Sequence, residues 1–112
     1  MVDKSYVPDR GDIVWLSLNP SIGREQKGRR PAVVISPKYY NSKVGLALLC
    51  PMTSQKKGYP FEVEIETKKI QGVVLADQIR AIDWKIRKTK LVTRVDSETL
   101  NEILAKIEPL VS

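Results

Sequence analysis

Histidine is missing from this chain, which removes the commonest general acid and base of enzyme chemistry. Any acid–base chemistry built on a histidine pair is thereby excluded. Cysteine occurs once, at Cys50 inside an apolar run, so no intrachain disulfide can form. Without histidine or a cysteine cluster there is no zinc-type ligand set, and neither a metal nor another cofactor is expected. Cys50 reads as a small buried hydrophobe. No apolar stretch approaches the roughly 20 residues of a membrane span. Met1-Val2-Asp3-Lys4-Ser5 lacks the apolar core of a signal peptide, so the expected setting is a reducing cytoplasm with no membrane contact. Repeats, low-complexity tracts and long linkers are absent as well, and residues 1–112 are expected to form one domain.

What the chain does have is a lopsided charge. Residues 1–60 carry ten Lys/Arg against four Asp/Glu, and residues 61–112 carry nine against nine. The whole net charge of +6 thus comes from the first sixty residues. A localised basic surface attracts polyanions, either nucleic acid or an acidic protein segment. The same charge also serves general solubility, but a polyanionic partner is the better reading.

Alternation and punctuation outline a mainly β chain with a terminal helix. Asp12 to Leu18 alternates as a strand, with Val14, Leu16 and Leu18 on one face and Ile13 and Trp15 on the other. Pro31 to Ser36 is short and β-branched, like a strand buried on both faces. Pro37 to Val44 is a polar connection with one helical turn near Tyr39 and Tyr40. Leu46 to Thr53 is a third strand, in which Pro51 predicts an edge or a bulge because it cannot donate to a ladder. Phe61 to Glu66 alternates cleanly, with Phe61, Val63 and Ile65 inward and the three glutamates outward. Gly72 to Ile79 is a further strand that turns polar at Asp77 and Gln78. Trp84 to Arg87 is an irregular crossing or helical turn, and Lys88 to Val95 a short strand. Asp96 is placed to cap a helix with Glu98 in its first turn. Leu100, Ile103, Leu104, Ile107, Leu110 and Val111 give that helix one apolar stripe, and Pro109 predicts a break or kink near its end. Together these elements predict a small, strongly curved β-barrel with a C-terminal helix.

The most informative stretch is Glu25-Gln26-Lys27-Gly28-Arg29-Arg30-Pro31, where a polar loop meets the apolar run Ala32-Val33-Val34-Ile35. Pro31 pushes Arg30 toward an extended backbone, so its guanidinium fork is presented from a restrained position. An ordinary solvated loop is the competing explanation. Thr53 with Ser54, and Asp77 with Gln78, also fall at strand ends, where a small barrel can gather them into one groove. RNA brings its own nucleophile, the 2′-hydroxyl, so a protein must supply a proton acceptor and donors for the charged phosphorane. Arg30 and Thr53 suit the donor role, and Glu25 is an easier base than an always-protonated arginine. Taken alone, Thr53 is better read as a β-favouring residue leaving a strand.

Several segments together resemble the MazF/PemK family. They are Tyr6-Val7-Pro8-Asp9-Arg10-Gly11-Asp12, Glu25-Gln26 with Gly28 and Arg30-Pro31, and Pro51-Met52-Thr53-Ser54. Lys57-Gly58-Tyr59-Pro60-Phe61-Glu62-Val63 and Leu75-Ala76-Asp77-Gln78-Ile79 continue the pattern across nearly the whole chain. The resemblance implies an SH3-like barrel of the CcdB/PemK type, forming a homodimer. It further implies a metal-independent endoribonuclease toxin that cuts single-stranded RNA to 2′,3′-cyclic phosphate and 5′-hydroxyl ends. An acidic, MazE-like antitoxin would neutralise it. By position, the family's catalytic arginine falls on Arg30, its threonine on Thr53 and an acidic site residue on Glu25. Asn19, Gln26, Lys56, Lys57, Tyr59 and Gln78 are the expected RNA contacts, the aromatic ring as a base-stacking surface. Lys56 and Lys57 as a solvated turn, and Tyr59 as a packing anchor, are the simpler alternatives. Trp15 and Trp84 read as core or dimer packing. Two other functions stay open: a non-catalytic basic SH3-like module that binds RNA or protein, and a CcdB-like toxin that poisons gyrase. The latter family carries a tryptophan near the end of its last helix, whereas this chain ends Pro109-Leu110-Val111-Ser112.

Overall fold

The structure, a computed structural model, describes residues 6–17 and 29–112. Leu18, Asn19, Glu25 and Gln26 lie outside the described residues. The elements run β1 (Asp12–Ser17), β2 (Arg29–Val34), α1 (Lys38–Val44), β3 (Leu46–Thr53), β4 (Glu62–Glu66), β5 (Gln71–Leu75), β6 (Arg80–Asp83), β7 (Lys90–Arg94) and α2 (Ser97–Val111). The strands form one curled sheet in the order β4-β5-β3-β2-β1-β7, with β6 also paired to β3. All their pairings are antiparallel.

β3 is the spine of this sheet, which corrects the edge expected from Pro51. Its first half, Leu46 to Leu49, pairs with β6, while Met52 and Thr53 pair with β5. On its other side, Leu49 to Pro51 pairs with β2. Pro51 therefore falls where one side of the strand changes partner, and a missing donor costs least at such a break. The same change of partner turns β4 and β5 away from the rest of the sheet.

Strand alternation sends side chains to two cores. Ile13, Val33, Cys50, Met52, Val63, Ile65 and Val74 pack with Ile103 and Ile107 of α2 on one side. Val14, Leu16, Ala32, Val34, Leu49 and Trp84 pack on the other, covered by Tyr6 and Val7. Ala32, Val33 and Val34 are all buried, as a strand covered on both faces requires. Fully burying a side chain such as Ile103 contributes about 1.5–3 kcal/mol, so α2 is held chiefly by its stripe.

Helix α2 begins as expected: Asp96 accepts the Thr99 N–H at 2.8 Å. Hydrogen bonding from the Thr99 side chain, and then from its backbone, lowers the Asp96 pKa. Its end differs from expectation, because the helix continues through Pro109 to Val111, and Ser112 N–H still reaches the Glu108 carbonyl at 3.0 Å. So close to the terminus, proline forfeits one hydrogen bond and little helix lies beyond it to be displaced. Leu110 and Val111, the outer end of the predicted stripe, are exposed rather than buried. The connection after Pro37 is a seven-residue helix rather than one turn. Its buried Asn41 donates to the Pro8 and Ser36 carbonyls and accepts the Trp84 indole N–H at 2.9 Å through its backbone oxygen. Trp84 is thus a core residue with its polar edge satisfied.

Candidate RNA-binding groove

Beyond Thr53 the chain leaves the spine of the sheet and loops back as residues 54–61 before entering β4. Between that loop and β5 lies a groove of about 460 Å³. Thr53 and Gln55 line its start, Lys57, Tyr59 and Glu62 its loop side, and Leu75 and Gln78 its far wall. Four expected residues, Thr53, Lys57, Tyr59 and Gln78, therefore meet in one place. Lys56 is not among the lining residues. It points to β4, where its amine lies 2.9 Å from the Glu64 carboxylate, and that contact raises the amine's pKa. Both partners are exposed, so the pair contributes little to stability.

Thr53 is held by the peptide geometry around it. Its Oγ accepts the Gln55 N–H at 3.2 Å, which leaves the hydroxyl proton available to a ligand in the groove. The backbone behind it is tightly packed. Gly72 of β5 lies so near that a Cβ built there would sit 2.6 Å from the Thr53 carbonyl oxygen. Only glycine fits at that contact.

Arg30 belongs to β2 rather than to a loop at the strand's mouth, and it pairs with Leu16. It is exposed and does not itself line the groove. Carrying the β2–β3 register two residues beyond Ala32–Pro51 puts Arg30 across from Thr53, on the same face of the sheet. Arg29, one residue earlier, goes to the opposite face, where its guanidinium lies 5.2 Å from the centre of the Trp15 ring. Alternation thus separates the neighbours: Arg29 stacks on a half-buried tryptophan, and Arg30 shares the Thr53 face. Among the described residues Arg30 has no ion-pair partner.

Tyr59 is the exposed aromatic of the loop, tilted at 52° against Phe61 with ring centres 5.9 Å apart. Its hydroxyl donates to Asp77 Oδ2 in a short hydrogen bond, and that bond, ahead of the nearby charge, raises the phenol pKa. The ring therefore stays neutral and fixed beside the groove. Asp77 enters the site as the partner of Tyr59 rather than as a lining residue. Glu62 and Gln55 are groove residues that the sequence reading does not single out. Alternation marks Glu62 only as outward-facing, and the loop partners that give it a role come from chain reversal. Among the described residues no group of acidic or sulfur ligands is arranged to hold a metal.

These features accord with what the chain resembles as a whole. A family model described as PemK-like, MazF-like toxin of type II toxin–antitoxin system matches residues 9–111. The endoribonuclease toxin MazF of Escherichia coli strain K12 is 48% identical over 106 residues, spanning 95% of this chain and 96% of that protein. Endoribonuclease EndoA of Bacillus subtilis is 36% identical over 100 residues, spanning 84% and 85% of the two chains. Among solved structures, a MazE–MazF complex (Form-II) from Deinococcus radiodurans has a TM-score of 0.86 at 41% identity, covering 96% of this chain and 98% of that one. MazF (Form-I) from the same organism has a TM-score of 0.84 at 45% identity, covering 96% and 98%. A family match over nearly the full length, on the same curled sheet and terminal helix, shows that the chain belongs to the PemK/MazF family of toxins of type II toxin–antitoxin systems.

Proposed function

We propose that this protein is an endoribonuclease toxin that cuts single-stranded RNA across the Thr53 groove. The observation that carries the reading is the convergence of Thr53, Lys57, Tyr59 and Gln78 on one groove, with Arg30 on the same face of the adjoining strand. The relatives named endoribonucleases support the reaction class. In the proposed reaction the RNA 2′-oxygen attacks the adjacent phosphorus and the bond to the 5′-oxygen breaks, leaving a 2′,3′-cyclic phosphate. The proton lost from the 2′-hydroxyl goes to Glu25, and the departing 5′-oxygen takes one from water to become a hydroxyl. Arg30 and the Thr53 hydroxyl donate to the phosphorane oxygens, where contacts strengthen as charge develops. Arginine stays protonated throughout, so it acts as donor and not as base. Lys57 holds a flanking phosphate, Tyr59 stacks an unpaired base, and Gln78 contacts a base edge.

The basic first half also suits an acidic antitoxin segment laid over the groove, and the Deinococcus relative forms complexes with MazE. A homodimer and a cytoplasmic setting complete the proposal. Among the described residues no helix is long and apolar enough to cross a membrane. Neither the binding-only module nor the gyrase-poisoning toxin has an observation in its favour. The test is incubation with a long single-stranded RNA in EDTA, followed by mapping of the new ends. Discrete cuts with cyclic phosphate and 5′-hydroxyl ends, lost in Thr53→Ala, are expected. RNA left intact at high protein concentration would overturn the reading.

A further inference from the structure

A groove that receives a polyanion gains nothing from a bare carboxylate in its wall, yet Glu62 is there. The loop before it explains why. Glu62 Oε2 accepts the Lys57 N–H at 3.0 Å and Oε1 accepts the Gly58 N–H at 3.1 Å. Gly58 has φ +76°, a left-handed conformation that turns the chain sharply just after its own amide. Such a pair of amides is an anion site, and here the chain's own carboxylate fills it. Glu62 N–H returns to the Tyr59 carbonyl at 3.0 Å, closing the loop in both directions. Two further ties come from outside: the Tyr59 hydroxyl to Asp77, and Lys106 Nζ to the Pro60 carbonyl at 2.9 Å.

We propose that Glu62 is a positioning residue, whose carboxylate binds the Lys57 and Gly58 amides and thereby sets Lys57 and Tyr59 against the groove before RNA arrives. The proposal rests on the ribonuclease reading above. Hydrogen bonds to an ionised acceptor are about twice as strong as neutral ones, so two of them hold a short loop well. A loop ordered in advance loses less entropy on binding. The geometry also distinguishes the two lysines. Lys56 is taken up by Glu64, whereas the Lys57 amine has no ion-pair partner among the described residues and stands at the groove.

The experiment compares wild type, Glu62→Ala and Glu62→Gln by steady-state cleavage of a short single-stranded RNA. Amide hydrogen exchange at Lys57 and Gly58 is measured alongside. For Glu62→Ala, KM is expected to rise roughly tenfold while kcat stays within about threefold, because ordered contacts are lost and the chemistry is untouched. Exchange at the two amides should accelerate. Glu62→Gln keeps an acceptor oxygen and should fall between the two, despite having lost the same charge. A lower or unchanged KM in Glu62→Ala would overturn the proposal, since the carboxylate would then merely repel RNA or do nothing. A fall in kcat at constant KM would overturn it as well, by placing Glu62 in the chemistry. Wild type inert toward RNA would defeat the ribonuclease reading, and the exchange rates alone would then decide whether Glu62 holds the loop.

Discussion

Two carboxylates fasten two segments of this chain, and they differ in what surrounds them. Asp12 is 3% exposed. Its Oδ2 accepts the Tyr6 hydroxyl at 2.8 Å and the Asp9 N–H at 3.0 Å. Its Oδ1 lies 3.2 Å from Arg94 Nη1, in ion-pair range but without hydrogen-bond alignment. Burial, and then the bond to Asp12, push the Tyr6 phenol well above its ordinary pKa. Glu62 likewise accepts two donors, but at the rim of an open groove. The same chemical device therefore acts on different quantities. At Asp12, removing the buried acceptor strands part-buried donors and costs stability. At the groove water can replace it, and the cost appears as a loop that no longer meets its ligand.

The contrast can be tested most severely at the point where the two regions touch. Gly72 belongs to the packed sheet, but its neighbour is the Thr53 backbone. Gly72→Ala must shift β5 or Thr53, and a displacement near 1 Å at a reacting group costs about 10²-fold in rate. A large fall in kcat with the fold retained is expected, and an unchanged kcat would show that Thr53 does not depend on this packing. Asp12→Ala should do the reverse. Leaving the Tyr6 hydroxyl and Asp9 N–H without their charged acceptor costs about 2–3 kcal/mol, read by urea unfolding. Half-exposed Arg94 regains water and adds little. Cleavage per folded molecule should stay at the wild-type level. The effect most narrowly confined in pH is at Cys50, whose thiol is pushed up to about 12 by burial and then by the Asp77 charge. The folded state holds this proton more tightly than the unfolded chain, where the thiol titrates near 9.0. Its contribution is therefore complete below pH 9 and lost as pH rises from there toward 12. Unfolding curves of wild type and Cys50→Ala should thus change their separation only across that window.

What could be read from the sequence was what local pattern determines. The bounds of β3 at Leu46 and Thr53, the alternation of β4 and the Asp96 cap need only neighbours in the chain. β6 was not legible, because Arg80–Asp83 has a single buried residue, Ile82, and exists through pairing with the distant Leu46 to Leu49. Pro51 misleads for a related reason: it reads as an edge, and only the exchange of partners along β3 makes a central position tolerable. In the groove, Thr53 is marked by the end of β3, whereas Gln78 lies beyond a strand that stops at Leu75 rather than Ile79, and Glu62 looks like any outward glutamate until the loop folds back over it. Arg29 and Arg30 are equivalent as charges, and the strand's alternation separates them. Asn19, Glu25 and Gln26 remain proposals made from the resemblance.

The central claim is that the face shared by Arg30 and Thr53 carries the reaction. Single-turnover cleavage of one defined single-stranded RNA by wild type and Arg30→Ala tests it most directly, with thermal unfolding as the control. Removing one preorganised donor should slow cleavage by ~10²–10³-fold, with the unfolding midpoint unchanged. Cleavage at the wild-type rate by a correctly folded Arg30→Ala would contradict the account.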